Sequence, residues 1–298
     1  MMSRRISEKL AGTFFVTFFA LLLLSLSACS LNRITADRTA AMMGEASRAF
    51  NEEPDLEFAR AAMPGNLKMI EGVLKSSPGN RDALVTLAQG YCSYAFAFLE
   101  DSPRREDVAR ASALYLRGYG FGVRALGDKV REHSAGELEK FENAVNDGDD
   151  AAALFWTGYC LGNWVNLNRS DVAAVAELSR AELFMRRVLE LDPLYYNGGP
   201  RMFYGVYYGS RPRMLGGSTN KAKEHFEKAI KASDGKFLVA RLMYAQFYAV
   251  PVQDEALFET TLSGIVNAPE GLLPGEAFAN AVAKKRAAAL LARKKDLF

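Results

Sequence analysis

One short phrase occurs twice in this chain, and its spacing restricts the fold more than any other feature. Gly90-Tyr91-Cys92 returns as Gly158-Tyr159-Cys160, separated by roughly twice the 34-residue period of stacked helical hairpins. A second spacing also repeats: Pro78 lies twelve residues before Gly90, and Pro193 twelve before Gly205. Between these marks apolar residues recur at helical spacing, with almost no strand-like alternation. The pattern predicts helices over 66–75, 82–99, 105–131, 135–145, 150–165 and 171–191, then over 200–208, 219–232, 236–250, 253–266 and 276–295. Ser77-Pro78-Gly79-Asn80 and Leu191-Asp192-Pro193 are stops. Gly118, Gly120 and Gly122 fall inside the long 105–131 segment, where their poor helix propensity predicts close packing or a kink.

Ala222, Phe226 and Ala229 place small, large and small residues on one helix face. A small residue lets two helices approach, and the aromatic fills the gap beside it. Each helix pair then leaves a face uncovered until a neighbour stacks on it. The predicted class is all-α: three to five degenerate tetratricopeptide-like helical hairpins in a compact superhelical array. An irregular all-helical domain is the alternative. The expected divisions are 1–28 leader, 29–50 tether and start of a first helix, 51–275 repeat domain and 276–298 C-terminal capping helix.

The leader has its own logic. Arg4 and Arg5 precede an apolar run from Leu10 to Leu26, and Leu26-Ser27-Ala28-Cys29 ends it. A positive head, an apolar core and small residues at the cut form a secretory signal. The cysteine at that cut resembles a bacterial lipobox, which implies lipidation of Cys29. The run is short for a span of roughly 20 residues. Ser30, rather than aspartate, follows the cysteine, which favours the periplasmic face (inner leaflet) of the outer membrane. Arg4, Arg5 and Lys9 against Glu8 account for the whole formal charge of +2. The mature chain is therefore neutral, which argues against a nucleic-acid partner.

After Cys29, Cys92 and Cys160 remain. They read as two small buried core residues on separate helices rather than as a disulfide. No second cysteine lies close to either, and the histidines are His133 and His225, both in charged stretches that read as solvated faces. No metal ligand set, cofactor motif or catalytic constellation emerges.

A longer set of phrases carries a family resemblance. These are Gly162-Asn163-Trp164-Val165, Asp171 to Leu178, Leu191-Asp192-Pro193, Gly198-Gly199, Gly205-Val206-Tyr207-Tyr208 and Arg211-Pro212. Leu215-Gly216-Gly217-Ser218 running into Lys221-Ala222-Lys223-Glu224-His225-Phe226-Glu227-Lys228-Ala229-Ile230 is the most specific. In these the chain resembles the TatT family, the tetratricopeptide-type lipoproteins associated with TRAP transporters. The resemblance implies a non-enzymatic protein with a lipid anchor, a helical repeat body and a homotrimeric assembly. It further implies pairing with the periplasmic solute-binding protein of a TRAP transporter, and transfer of a small hydrophobic or organic-acid ligand. A general envelope scaffold for protein–protein contacts is the competing function.

The candidate ligand or partner surface comprises Tyr159, Asn163, Trp164, Tyr204, Tyr208, Arg211 and Arg213. Tyrosines offer ring faces and hydroxyls, and Trp164 stands among the amides of Asn163, Asn166 and Asn168. Arg211 and Arg213 suit bidentate capture of a carboxylate. Each has a plainer reading: core tyrosines, amides capping a helix end, and arginines paired with an acid such as Glu224. Ser218 is expected to cap the helix that starts near Thr219, and Asp171 to stand at a helix start.

Overall fold

The computed structural model describes residues 35, 37–39, 41–45 and 47–298, so the leader and Cys29 lie outside the described residues. Among the described residues every regular element is helical and no strand occurs. Helix α1 (Leu56–Ser76) is capped by the Asp55 carboxylate, which accepts from the amides of Glu57 and Phe58. It starts ten residues earlier than the periodicity predicted and carries Pro64 within it. Ala59, Met63, Leu67, Ile70 and Leu74 form its buried stripe. Helices α2 (Arg81–Phe98) and α6 (Ala151–Leu167) start at Asn80 and Asp150, whose side chains accept from the amides of Ala83 and Ala153.

The predicted 105–131 helix is two. α3 (Arg105–Ala125) ends before Gly127, whose φ of 90° is open to glycine at little cost, and α4 (Asp128–His133) follows. The three internal glycines leave α3 continuous. Gly118 and Gly122 serve close approach instead, since a methyl on Gly122 would collide with Thr157 of α6. α5 (Leu138–Asn146) precedes α6. The 171–191 helix divides at Glu177 into α7 (Val172–Ala176) and α8 (Leu178–Leu191). Asp171 caps α7 by accepting from the Ala173 amide.

α9 (Tyr195–Gly209) opens with three left-handed residues and becomes helical near the predicted start. α10 (Thr219–Ala232) follows Ser218, whose hydroxyl accepts from the Lys221 amide as expected. α11 (Leu238–Tyr244) passes into a π turn, Ala245–Ala249, in place of the continuous helix predicted to 250. α12 (Glu255–Val266) and α13 (Ala277–Ala292) complete the chain, the latter entered through a 3-10 turn at Pro274–Glu276.

Successive long helices pack on one another: α2 on α3, α3 on α6, α6 on α8, α9 on α10 and α12 on α13. α6 is the central element, with Leu154, Phe155, Trp156, Thr157, Cys160 and Leu161 all buried. Phe226 of the small-large-small face is fully buried between Ala222 and Ala229. A methyl on Gly205 of α9 would lie 2.6 Å from its ring.

The cysteine expectation is corrected. Cys92 of α2 and Cys160 of α6 form a disulfide, with Cα atoms 5.6 Å apart. The short helices α4 and α5 intervene between α3 and α6, and α6 lies against α2 instead of one hairpin further away. Gly118 of α3 makes the space, because a methyl there would collide with Cys92 Sγ and lie 2.8 Å from Cys160 Sγ.

Candidate functional site

The interior between α6, α9, α11 and α13 holds a continuous group of rings. Tyr196 is the hub, with centroids 4.9 Å from Trp156, 5.4 Å from Phe155 and 5.4 Å from Phe237. Tyr195 lies 5.2 Å from Phe155, and Tyr159 lies 5.4 Å from Trp156. Tyr196 gets there through unusual backbone. Tyr196 (φ 47°), Asn197 (φ 55°) and Gly198 (φ 81°) are all left-handed. For a residue with a Cβ this costs about 1–2 kcal/mol, and asparagine tolerates it better than tyrosine does. Gly198 lies so near α10 that a methyl would sit 3.1 Å from Ala229 Cα, and one on Gly199 would strike the Phe155 ring. The Gly198-Gly199 pair thus threads the chain between α6 and α10 and presents Tyr196 and Asn197 inward.

Glu276, just before α13, faces this segment. The Asn197 amide donates to its Oε1 at 3.2 Å. Burial raises the Glu276 carboxyl to about 7, with the Asn197 bond opposing. Burial also raises the phenols of Tyr159 and Tyr196, and lifts Tyr195 to about 12. Yet Tyr159, Tyr195, Tyr196, Asn197 and Glu276 all keep accessible surface.

A polar cluster adjoins the rings. Arg286 of α13 pairs with Glu100 at 2.7 Å and with Asp101 at 2.6 Å, and its guanidinium stands 4.2 Å from the Phe96 centroid. The Tyr115 hydroxyl donates to Glu100. Burial raises the Glu100 carboxyl, opposed chiefly by Arg286, and the Arg286 Nε is buried without a partner.

The expected surface residues divide. Tyr159, Asn163 and Trp164 share α6, and Tyr159 enters the ring group. The Asn163 amide donates to the Tyr159 carbonyl at 2.9 Å, and the Asn168 amide to the Trp164 carbonyl at 2.7 Å, so both amides close the helix's own backbone. Tyr204 is buried and donates to Glu182 at 2.6 Å. Tyr204 and Tyr208 stack at 6.1 Å.

His225 corrects its sequence reading. It is half-buried, 5.2 Å from the Tyr204 ring and 5.7 Å from Tyr208, and its buried Nδ1 has no hydrogen-bond partner. Burial lowers it to about 4, and Arg201 adds to the effect. Arg211 folds back over Tyr207, 3.5 Å from the centroid, while its Nε donates to the Tyr207 carbonyl at 2.8 Å. Arg213 stays exposed beside Met214, and Glu224 pairs with Lys228 at 2.6 Å rather than with either arginine.

Sequence reasoning missed Asn197, Glu276, Glu100 and Arg286, and read Tyr196 as one of several crowded aromatics without placing it in the candidate surface. An Asn-Gly-Gly run after two tyrosines was the available signal for left-handed backbone. Among the described residues no group of three or more histidine, cysteine, aspartate or glutamate side chains could hold a metal, and no helix is long and apolar enough to cross a membrane.

Comparison with known proteins agrees with the family resemblance. An uncharacterized protein of Treponema pallidum (strain Nichols) is 24% identical over 268 residues, covering 85% of this chain and 83% of its own length. The family model for the TRAP transporter T-component (TAtT) matches residues 52–298, and the chain belongs to that family.

Proposed function

We propose that this chain is a non-enzymatic, lipid-anchored accessory protein of a TRAP-type uptake system. It binds the system's periplasmic solute-binding protein and holds or passes a small organic or hydrophobic ligand. The observation that supports the ligand-holding part is the ring group around Tyr196, beside which Asn197 holds the Glu276 carboxyl and both keep accessible surface. Family membership supports the link to TRAP uptake. The Cys92–Cys160 disulfide supports an oxidising compartment, since such bonds persist outside the cytosol. Lipidation at Cys29, the outer-membrane inner leaflet and a homotrimer belong to the same proposal.

The helix pairs α2/α3, α6/α8, α9/α10 and α11/α12 fit tetratricopeptide-like hairpins stacked in order. A peptide-binding scaffold would need an open face on the first helices of such pairs. Here α13 covers part of such a face, on α11 and at the end of α2. Its Phe278 ring is 6.0 Å from Phe98 of α2, and its Asn280 accepts from the Leu238 amide of α11 at 2.8 Å. The test is purification from the native host envelope. Co-purification of a TRAP-type solute receptor, with a small molecule retained in native mass spectrometry, is the expected result. Absence of both overturns the proposal. A monomeric mass for the purified protein overturns the trimer alone.

A further inference from the structure

The stretch from Pro193 to Lys236 carries eight lysines and arginines against three acids, a surplus of five in a chain whose formal charge is +2. The positive charge of the molecule is therefore gathered on α9, α10 and the loop between them. Three of these cations meet at one place. An open cleft of about 440 Å³ lies between the entry to α9 and the last turns of α10, lined by Pro193, Leu194, Arg201, Lys228, Lys231 and Ala232. Lys228 and Lys231 are three apart on α10 and so share a helix face, and Arg201 comes from α9. Lys228 is held by Glu224 at 2.6 Å, while among the described residues neither Arg201 nor Lys231 pairs with an acid. Elsewhere arginines that join elements or close a turn are matched, as Arg81 is with Asp150 at 2.8 Å and Arg104 with Asp107 at 2.7 Å. His225, one turn before, feels the same imbalance: beyond its burial, Arg201, Lys228 and Lys221 keep it neutral, and the acid opposing them is the engaged Glu224. Like charges brought together without acids repel one another, so the arrangement is complete only when something negative covers it.

We propose that this cleft is the docking surface for the partner solute-binding protein, which meets Arg201, Lys228 and Lys231 with an acidic patch and sets an apolar side chain against Leu194. This rests on the receptor-binding role proposed above and names its surface. The cleft has an apolar wall within its charged rim: Leu194 is 64% exposed, Pro193 is exposed beside it, and Leu191 is exposed at the end of α8. An apolar centre with charge around it is the composition of a protein interface, where complementary charge steers the encounter and fixes the register. A small ligand is enclosed over roughly 70–90% of its surface, whereas these walls stand open. A bilayer takes up apolar groups that protrude, and Leu194 lines a depression.

The experiment is biolayer interferometry of the full chain in detergent against the purified receptor of its own uptake system, at about 50 and about 500 mM NaCl. Arg201→Glu/Lys231→Glu is expected to weaken binding about tenfold or more, and the higher salt to weaken it in the unaltered protein. Lys129→Glu/Lys140→Glu reverses two exposed cations on α4 and α5 and should leave the affinity unchanged. Lys231→Glu alone, at an exposed position, should weaken binding severalfold and gives the reading if the double variant does not fold. Affinity unchanged in the cleft variants overturns the docking surface and leaves receptor binding standing. An equal loss in the α4 and α5 variant overturns it as well, since net charge would then account for the effect. Citrate or phosphatidylglycerol vesicles whose binding needs Arg201 and Lys231, while receptor binding does not, assign the cleft to a small anion or a lipid and overturn the proposal. A receptor that does not bind the unaltered chain overturns both this surface and the receptor-binding role.

Discussion

Glu276 and His225 are displaced in opposite senses from their ordinary titration ranges, and each displacement makes stability depend on pH. Glu276 titrates at about 7 when folded, against 4.5 for the ordinary carboxyl. Between those values the folded chain keeps a proton that the unfolded chain has released. The stability this confers is complete below about pH 4.5 and is lost as pH rises through about 7. A tenfold difference in proton affinity is worth about 1.4 kcal/mol, so the swing is about 3–4 kcal/mol. Urea unfolding of the unaltered protein and Glu276→Gln should show it: the variant gains by about that amount, relative to the parent, between acid and mildly alkaline pH. A difference constant with pH would mean a solvated carboxyl. His225 runs the other way. Lowered from 6.5 to about 4, it stays neutral while the unfolded chain charges, so its contribution is lost as pH falls from 6.5 towards 4. Histidine proton resonances should titrate near 4 for His225. Its sequence neighbours Lys223, Glu224, Glu227 and Lys228 are exposed, yet Tyr204 and Tyr208 cover one side of His225. Which face a helical residue shares is set by partners on another helix, and local charge does not report them.

The Cys92–Cys160 bond fixes α2 to α6 across Gly118 of α3, and its chain-entropy contribution for a loop of this length is about 4 kcal/mol. Cys92→Ala/Cys160→Ala should lower the urea midpoint accordingly, and an unchanged midpoint would mean the bond is not formed in the folded protein. Gly118→Ala forces a methyl onto both sulfurs and the Ala88 carbonyl. Overpacking of this kind costs about 1–3 kcal/mol. Replacing both cysteines by alanine removes the sulfur collisions, so the glycine substitution should cost less in that background, a coupling that a double-mutant cycle measures. Helix positions were legible because apolar periodicity is a local property: 219–232 and 82–99 lie within a residue of α10 and α2. The interruptions at Gly127 and Glu177 and the π turn at Ala245–Ala249 were not, since nothing in the flanking pattern distinguishes a tilted continuation from a straight one. The disulfide was illegible for a different reason. Its spacing suggested two repeat periods, and only the packing of α6 against α2 shows that α4 and α5 are an insertion within one step.

At the scale of the molecule, α13 ties the end of the chain to its beginning. Its first turns meet α11 through Asn280, which accepts from the Leu238 amide and donates to the Lys236 carbonyl at 3.0 Å. Further along, Arg286 reaches Glu100 beyond the end of α2, a hydrogen bond spanning 186 positions in sequence. Such a contact has no local signature, and the alanine- and lysine-rich composition of 276–295 showed a helix without showing what it would cover. Helix α13 also joins the two polar features of the interior, because Glu276 stands before its first turn and Arg286 lies in its second half. Burial raises the Glu100 carboxyl, and Arg286 is the largest influence holding it down. Both side chains are nearly inaccessible, at 8% and 10%. Arg286→Met would leave Glu100 buried without its cation, and breaking such a pair costs about 3–5 kcal/mol. Glu100→Gln in the same chain removes the stranded charge while keeping a group that accepts from Tyr115. The double variant should therefore recover much of the stability that Arg286→Met loses. If the ion pair held α13 only by its attraction, the double variant would be no more stable than the single one. Equilibrium unfolding of the four proteins decides between these outcomes.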